Sequence, residues 1–412
     1  MSHLTGHPES GGLSCQKELF SLPDGCHYIN CAYMSPLSKR VEAAGIAGVR
    51  RKVVPSRIEE SDFFTEVDEA RSLFARLIGA AEPARVAIIP SASYGLASVA
   101  RNTSVPAGQN VVTIARQFPS NVHSWRRKCD EGGGELRVVG CPTVSASGGP
   151  HAGPGHSAAW NEALLEAIDA ATAVVAVEPV HWTDGTRFDL AALGDRAREV
   201  GAAFVIDGTQ TVGAEPFDFE RLRPDALVCA AYKWLTGPYS IGAAYFGPRY
   251  DDGVPIEESW LTRAGSDDFS SLGEQGGEYR PGAIRYDVGE TSNFVLMPMF
   301  IAGLEQLLEW GVADISAYIA RLTKALFEDP RLEGLGLGGS TPETTHLFGL
   351  HLPDDVDPTV IRARLCEDEV FVSVRGRAVR VSPHVYNDMS DMDALASALT
   401  AASSVPSSCL SR

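Results

Sequence analysis

Seven short apolar runs, most of them separated by a helix-length segment, constrain this chain more than any other feature. They are VAIIP (86–90), NVVTIA (110–115), ELRVVG (135–140), AVVAVE (173–178), AFVID (203–207), DALVC (225–229) and IGAAYF (241–246). The intervening helical segments fall at about 93–103, 119–132, 158–171 and 188–201. Strands that stay apolar at nearly every position are covered on both faces. Strands that alternate with helices are joined by crossovers. The expected result is a mostly parallel sheet between helix layers. In such a sheet ligands bind where the carboxyl ends of strands meet the following loops, so the search for chemistry starts there.

Ahead of these runs, residues 61–79 pattern as an amphipathic helix. Ser61 or Asp62 can cap it, Phe64, Val67, Phe74, Leu77 and Ile78 share one face, and Gly79 can stop it. Beyond residue 295 the texture changes. A helical run (295–327, one or two helices) leads to TTHLFGLHL (344–352), a helix near 358–367, the run EVFVSVRGRAVRVSP (369–383) and a final helix at about 390–401. A chain of 412 residues exceeds what one small core usually serves. The expected division is a large domain over 36–294, a smaller α+β domain over 295–401 and an N-terminal segment, 16–35, that joins the smaller domain. Residues 1–15 and 402–412 have the composition of loose ends, and VSASGGPHAGPGHS (144–157) that of a surface loop.

Composition narrows the function classes. The formal net charge is −18 and no long Lys/Arg block occurs, which argues against nucleic-acid binding. No apolar stretch is long enough for a membrane span, and the polar N-terminus lacks a signal-peptide core. The eight cysteines are scattered without a CxxC pair or zinc-ligand spacing, so a reduced, cytoplasmic location and no metal are expected. The pair His151 and His156 sits in a Gly/Pro loop without a third ligand, and GLGLGG (334–339) spells a dinucleotide fingerprint without the strand and helix that would give it meaning.

Two residues at strand ends carry chemistry. Asp207 closes AFVID and is followed by Gly208, Thr209 and Gln210; it could meet a ligand or simply cap a helix. Lys233 follows DALVC within AAYKWLTGPYSIG, between Tyr232 and Trp234, where desolvation would make its amine nucleophilic. Pyridoxal 5′-phosphate requires such a pair: a lysine for its Schiff base and a carboxylate to keep its ring nitrogen protonated. A phosphate cup is available in IPSASYGLASVARN (89–102), where Ser91, Ala92 and Ser93 precede a helix, although the same segment reads as an ordinary Ser-capped helix. Phe118, at the exit of NVVTIA, can stack on a flat ring or serve the core.

The order phosphate turn, aromatic, Asp-x-x-Gln, then Lys-Trp-Leu-x-Gly-Pro-Tyr resembles class V aminotransferases of the fold-type I pyridoxal-phosphate enzymes, from YINCAYMSPL (28–37) to VRVSPHVYND (379–388). The resemblance implies that Lys233 forms the Schiff base, Asp207 pairs with the pyridinium nitrogen and Gln210 meets the phenolic oxygen. It puts Ala92, Ser93 and Tyr232 on the phosphate and Phe118 on the ring. It further implies that EPVHWTDGTRFDL (178–190) crosses the cofactor and brings His181 and Trp182 to the site. Arg380 would grip a substrate carboxylate, with Arg375 and Arg377 as fallbacks, and Tyr33 and Tyr239 would contribute pocket wall. A homodimer follows from the same resemblance, with Thr291 or Ser292 in YDVGETSN (286–293) reaching the partner's phosphate.

Departures from the family shape the expected reaction. Cysteine desulfurases stack a histidine where Phe118 stands and carry a catalytic cysteine before the carboxylate arginine; FVSVRGRAVR (371–380) has none, and Cys366 lies too early. Ala230 replaces the usual serine ahead of the lysine. The pattern is similar to the isopenicillin-N-epimerase-like and C–S lyase branch. That leads to β-elimination on an S-substituted cysteine as the expected activity, with transamination, epimerisation and decarboxylation-coupled oxidative deamination as alternatives. A regulator without catalysis on the same fold is disfavoured by the acidity and by the lack of a helix-turn-helix segment in residues 1–35.

Overall fold

The computed structural model describes residues 12–142, 155–274, 277–335, 337, 342–352 and 356–403. In chain order the main elements begin with β1 (His27–Tyr28), α1 (Lys39–Arg51), α2 (Thr65–Ile78), β2 (Val86–Ile89), α3 (Ala92–Arg101), β3 (Asn110–Ile114), α4 (Pro119–Gly132) and β4 (Glu135–Val139). They continue with α5 (His156–Ala167), β5 (Thr172–Val177), α6 (Leu190–Val200), β6 (Ala203–Asp207), α7 (Phe219–Leu222), β7 (Ala226–Ala230) and β8 (Gly242–Phe246). The C-terminal part holds α8 (Leu296–Trp310), α9 (Val312–Phe327), α10 (Pro330–Gly334), β9 (Phe348–His351), α11 (Pro358–Glu367), β10 (Val370–Phe371), β11 (Ser373–Arg375), β12 (Ala378–Val381) and α12 (Met389–Ser403).

All seven apolar runs become strands of one sheet, in the order β2-β8-β7-β6-β5-β3-β4. The pairs from β7 through β4 are parallel, while β8 runs antiparallel to both of its neighbours. Alternate side chains of one strand enter opposite cores. Val175 and Val177 of β5 and Phe204 and Ile206 of β6 pack on one face, and Val174, Ala176, Ala203 and Val205 on the other. Two dry faces explain why these strands lack polar alternation. β4, at the sheet edge, exposes Glu135 and Val138.

Helix α2 begins later than its pattern suggests. Glu60–Phe63 form a 3₁₀ turn in which Asp62 accepts the Glu59 N–H at 2.8 Å, and the α-helix starts at Thr65. It ends where expected, because Gly79 takes the left-handed conformation (φ 78°) that a side chain disfavours. Gly95 serves a different purpose. A Cβ there would stand 2.8 Å from Val228 Cγ1 and 2.9 Å from Ile89 Cδ1, so its absence lets α3 settle on β2 and β7.

The smaller lobe has an antiparallel sheet, β11-β12-β9, and β1 pairs in parallel with β10. Residues 12–15, whose composition suggests a loose end, instead lie against this lobe: Arg321 donates to Leu13 O at 2.7 Å and Cys15 to Asn387 O at 3.5 Å. At the other end, helix α12 carries on to residue 403. His151 and much of the loop 144–157 fall outside the described residues, as do three positions of GLGLGG.

One buried ion pair ties α2 to the large sheet. Arg71 is 2% exposed and meets Asp287 through two nitrogens, one bond being 2.9 Å, while Asp287 also accepts the Ile88 N–H at 2.8 Å. Removing one member of such a pair leaves an uncompensated buried charge. Asp287→Ala is therefore expected to lower stability by about 3–5 kcal/mol, read from urea unfolding; a loss below about 1 kcal/mol would mean that solvent reaches Arg71.

Candidate active site

The carboxyl ends of β2, β3, β5, β6 and β7 open into a cavity of ≈ 260 Å³. Its walls come from the loops that follow these strands: Pro90 to Ser93, Phe118 and Ser120, Glu178 and Trp182, Asp207 to Gln210, and Ala230 to Ile241 in part. Backbone strain gathers on the same loops. Arg116 (φ 55°), Thr236 (φ 51°) and Ser240 (φ 67°) hold left-handed conformations that cost a non-glycine residue energy, a cost that tends to persist at functional sites.

Lys233 is 6% exposed, and its Nζ lies 5.5 Å from the Phe118 ring centroid and 5.6 Å from that of Tyr232. Burial, together with the charge of Arg380, brings its pKa down to about 8, against the opposing pull of Asp207 and Glu178. Asp207 does not cap a helix; turns follow it, and its Oδ1 accepts the Thr209 N–H at 3.1 Å. Burial pushes the Asp207 carboxyl up, while the Thr209 hydrogen bonds and Lys233 oppose the shift. An ionised Asp207 therefore depends on a cation facing it.

Gln210 is fixed on three sides. Its Oε1 accepts Trp234 Nε1–H at 3.0 Å, its Nε2 donates to Ala32 O at 3.2 Å, and its backbone carbonyl lies 2.7 Å from His346 Nε2. One amide N–H is left for the cavity. His346 comes from the segment ahead of β9 and was not singled out by the sequence reading. It is fully buried, meets Glu215 Oε1 at 3.0 Å, and stands edge-on to Trp234 at 4.8 Å. A histidine next to a strand pattern carries no signal of this; only the packing of the smaller lobe onto the loop after Asp207 reveals it.

At the start of α3, Ser91 is both cap and wall. Its Oγ accepts the Tyr94 N–H at 3.2 Å and meets Ser93 Oγ at 2.8 Å. The N–H groups of Ala92 and Ser93 precede the first intrahelical bonds, so the helix end presents donors to the cavity. Ser91 therefore caps α3, and the same helix end forms part of the cavity wall.

The remaining predicted residues divide. Phe118 and Trp182 line the cavity, their rings edge-on at 5.5 Å. His181 does not: it is fully buried and tilted against Trp160 at 5.3 Å. Its Nε2 lies 3.2 Å from Ala115 O, and its Nδ1 lies 2.7 Å from Thr183 Oγ1. Residues 182–184 form a turn closed by the Asp184 and Gly185 N–H groups on His181 O, and across it Trp182 reaches the cavity while His181 enters the core. Tyr33 is 55% exposed and outside the wall, and Thr291 and Ser292 are buried elsewhere. Arg380 lies just behind the wall at 2% exposure, with Nη1 donating to Trp182 O at 2.9 Å and Nη2 to Ser373 Oγ at 3.2 Å. Its Nε has no hydrogen-bond partner among the described residues, and burial and Arg375 bring its pKa down to about 10. A buried guanidinium without a carboxylate is a place for an anion.

Glu178 was missed, although its signal was present: it closes AVVAVE as Asp207 closes AFVID. Taken together, the walls fit a flat, phosphorylated, lysine-linked cofactor. The reactive amine, a carboxylate for a ring nitrogen, an aromatic face and a helix-end anion cup all open on one space.

Comparisons with known proteins agree. The family model described as Aminotransferase class-V matches residues 55–395. The chain is 26% identical over 340 residues to the uncharacterized aminotransferase YcbU of Bacillus subtilis (strain 168), covering 81% of this chain and 82% of that protein. It is 25% identical over 299 residues to a cysteine desulfurase of Enterobacter sp. (strain 638), covering 72% of this chain and 68% of the relative. Among solved structures it is similar to C-DES. In a mutant of C-DES with glycine covalently linked to the PLP-cofactor, the TM-score is 0.80 at 17% identity over 93% of this chain and 99% of that one. In a complex of the cystine C–S lyase C-DES with its reaction product cysteine persulfide, it is 0.78 at 18% identity over 92% and 98%. Among the described residues, no group of three or more His, Cys, Asp or Glu could hold a metal ion, and no helix is long and apolar enough to cross a membrane.

The environment of Lys233 has a direct chemical readout. In cofactor-free protein, acylation of Lys233 is expected to rise through pH about 8 and then level off, whereas ordinary lysines keep climbing toward about 10.4. Peptide mapping by mass spectrometry reads each site; a Lys233 rate still rising beyond the pH at which surface lysines saturate would show that burial does not suppress its charge.

Proposed function

This chain belongs to the aminotransferase class-V family of pyridoxal 5′-phosphate enzymes, and from that premise we propose that its reaction is β-elimination on an S-substituted cysteine, breaking the Cβ–S bond. When bound, the cofactor would supply a protonated ring that draws electrons from the substrate's Cα. Lys233 would anchor it, Asp207 would pair with the ring nitrogen, Ala92, Ser93 and Tyr232 would hold the phosphate, and Phe118 would supply the aromatic face. Arg380 receives the substrate's α-carboxylate at its unpartnered Nε edge.

The observation that carries this reading is a base and proton donors on one wall. Lys233 would be the base for the Cα proton once the substrate's amino group has taken its place, and burial, which lowers its pKa to about 8, leaves a usable share of its amine unprotonated near neutral pH. Tyr232 and Tyr239 share the cavity with it, their rings 4.7 Å apart, and burial raises the Tyr232 phenol so that it keeps its proton. As the Cβ–S bond breaks, its electron pair leaves on sulfur, and a tyrosine hydroxyl supplies the proton that completes the thiol. The enamine product hydrolyses to pyruvate and ammonia. The likeness to a cystine C–S lyase supports the assignment. A desulfurase needs a thiolate acceptor. Cys31, whose sulfur interacts electrostatically with Lys233, lies outside the wall and is held by burial at about 12, so it stays a thiol. We also propose a homodimer, in which Thr291, whose buried Oγ1 lacks a partner, or Ser292 faces the other subunit's phosphate.

The test is a pyruvate and ammonia assay of cofactor-loaded protein against S-alkyl, S-aryl and sulfoxide cysteines. Release of both products is expected. Keto-acid formation across an amino-donor panel without pyruvate from any cysteine would instead assign transamination, the reading favoured by the relative from Bacillus subtilis. Lys233→Ala is expected to lose the visible band that the cofactor acquires on attachment, followed by absorption spectroscopy; a retained band would sink the site assignment.

A further inference from the structure

The cavity contains a second buried carboxyl that the reaction proposed above does not use. Glu178 ends β5 as Asp207 ends β6, and because Val177 pairs with Ile206, the two acids stand at adjacent strand ends. Glu178 is 2% exposed and Asp207 4%, and both form part of the cavity wall. Glu178 Oε1 accepts the Trp182 N–H at 3.0 Å, its one hydrogen bond among the described residues. The charged groups that face it are Asp207 from β6, Lys233 beyond β7, Asp184 from its own loop and Arg380 from the smaller lobe.

These neighbours decide which acid keeps a proton. Two adjacent carboxylates in a desolvated space are strongly disfavoured unless cations compensate both. Neither cation hydrogen-bonds to Glu178 among the described residues: in the cofactor-loaded protein without substrate Lys233 is taken up in holding the cofactor, and Arg380 is tied to Trp182 O and Ser373 Oγ. Asp207 has the better support for a negative charge, because it accepts the Thr209 N–H at 3.1 Å and faces the ring nitrogen. We propose that Glu178 acts as a neutral carboxylic acid that donates a hydrogen bond to the bound cofactor, beside an ionised Asp207. Burial and the charge of Asp207 hold the Glu178 carboxyl well above the usual carboxylate range, in keeping with that role. Paired carboxyls whose surroundings push their protonation apart commonly take separate acid and base duties. The inference rests on the cofactor occupying this cavity and is independent of whether elimination or transamination follows.

The experiment titrates pyridoxal phosphate into cofactor-free parent protein, Glu178→Gln and Glu178→Ala. It follows the visible band across pH, with thermal unfolding of each protein as a folding control. Glutamine keeps a donor of the same reach and cannot ionise. Its dissociation constant is expected within about threefold of the parent's, with the band's pH midpoint unmoved, while alanine weakens binding roughly tenfold. If Glu178 were an anion, its removal in Glu178→Gln would destabilise the protonated chromophore and lower the midpoint by about one pH unit or more, which would overturn the assignment. Equal weakening by Gln and Ala, or an Ala variant that binds like the parent, would overturn it as well. Should Glu178→Ala not fold, the midpoint of Glu178→Gln decides alone. A parent that takes up no cofactor would overturn the premise itself, an outcome distinct from a parent that binds normally beside a shifted Gln variant.

Discussion

A parallel sheet buried on both faces can offer a ligand little more than its edges, because helices cover everything else. In this protein β3, β5, β6 and β7 deliver their carboxyl ends to the same side, and each end is followed by a loop. Phe118, Glu178, Asp207 and Lys233 arrive at one cavity for that reason alone, although more than a hundred residues of chain separate the first from the last. The helix end at Ala92 joins them because β2 pairs with β8, which lies against β7. The close seat of α3, made possible at Gly95, keeps its amino end against the cavity.

Charge is the second constraint, and it follows from the first. A cavity enclosed by apolar strands disfavours every ion placed in it, so Lys233 is shifted toward its free amine and both carboxyls toward their acids. Arg380 adds a cation with no anion of its own. The residues by themselves are therefore electrostatically incomplete, and a ligand bearing a ring cation and carboxylate and phosphate anions supplies what they lack. Structural ions elsewhere are treated differently: Arg71 and Asp287 face each other directly and require no ligand.

Legibility varied with how local the cause was. The strands could be read because their burial is written in consecutive residues, and Asp207 and Lys233 because each ends or follows such a run. Helix α2 was placed correctly at its glycine stop and too early at its start, since Asp62 serves a 3₁₀ turn before the helix proper. His181 and Trp182 were assigned together, yet adjacent side chains diverge, and only the loop's path decides which of them faces the ligand. His346 and Glu178 went unremarked. The first acts through contacts made across lobes, and the second repeats the strand-end carboxylate of Asp207 without a neighbouring motif to draw attention to it.

The amino-acid sequence by itself determined the layered sheet and the cofactor class and pointed to Lys233, because these depend on periodicity and on residue types fixed at strand ends. The tertiary structure decided what stands around that lysine. It placed Arg380 behind Trp182 without a counter-ion, turned His181 into the core, locked Gln210 through Trp234 and His346, and set a second carboxyl beside Asp207. Each of these depends on which distant segments share a low-dielectric space. Such proximity governs protonation and hydrogen bonding, and it is set by how the strands are ordered across the sheet and how the smaller lobe packs against it.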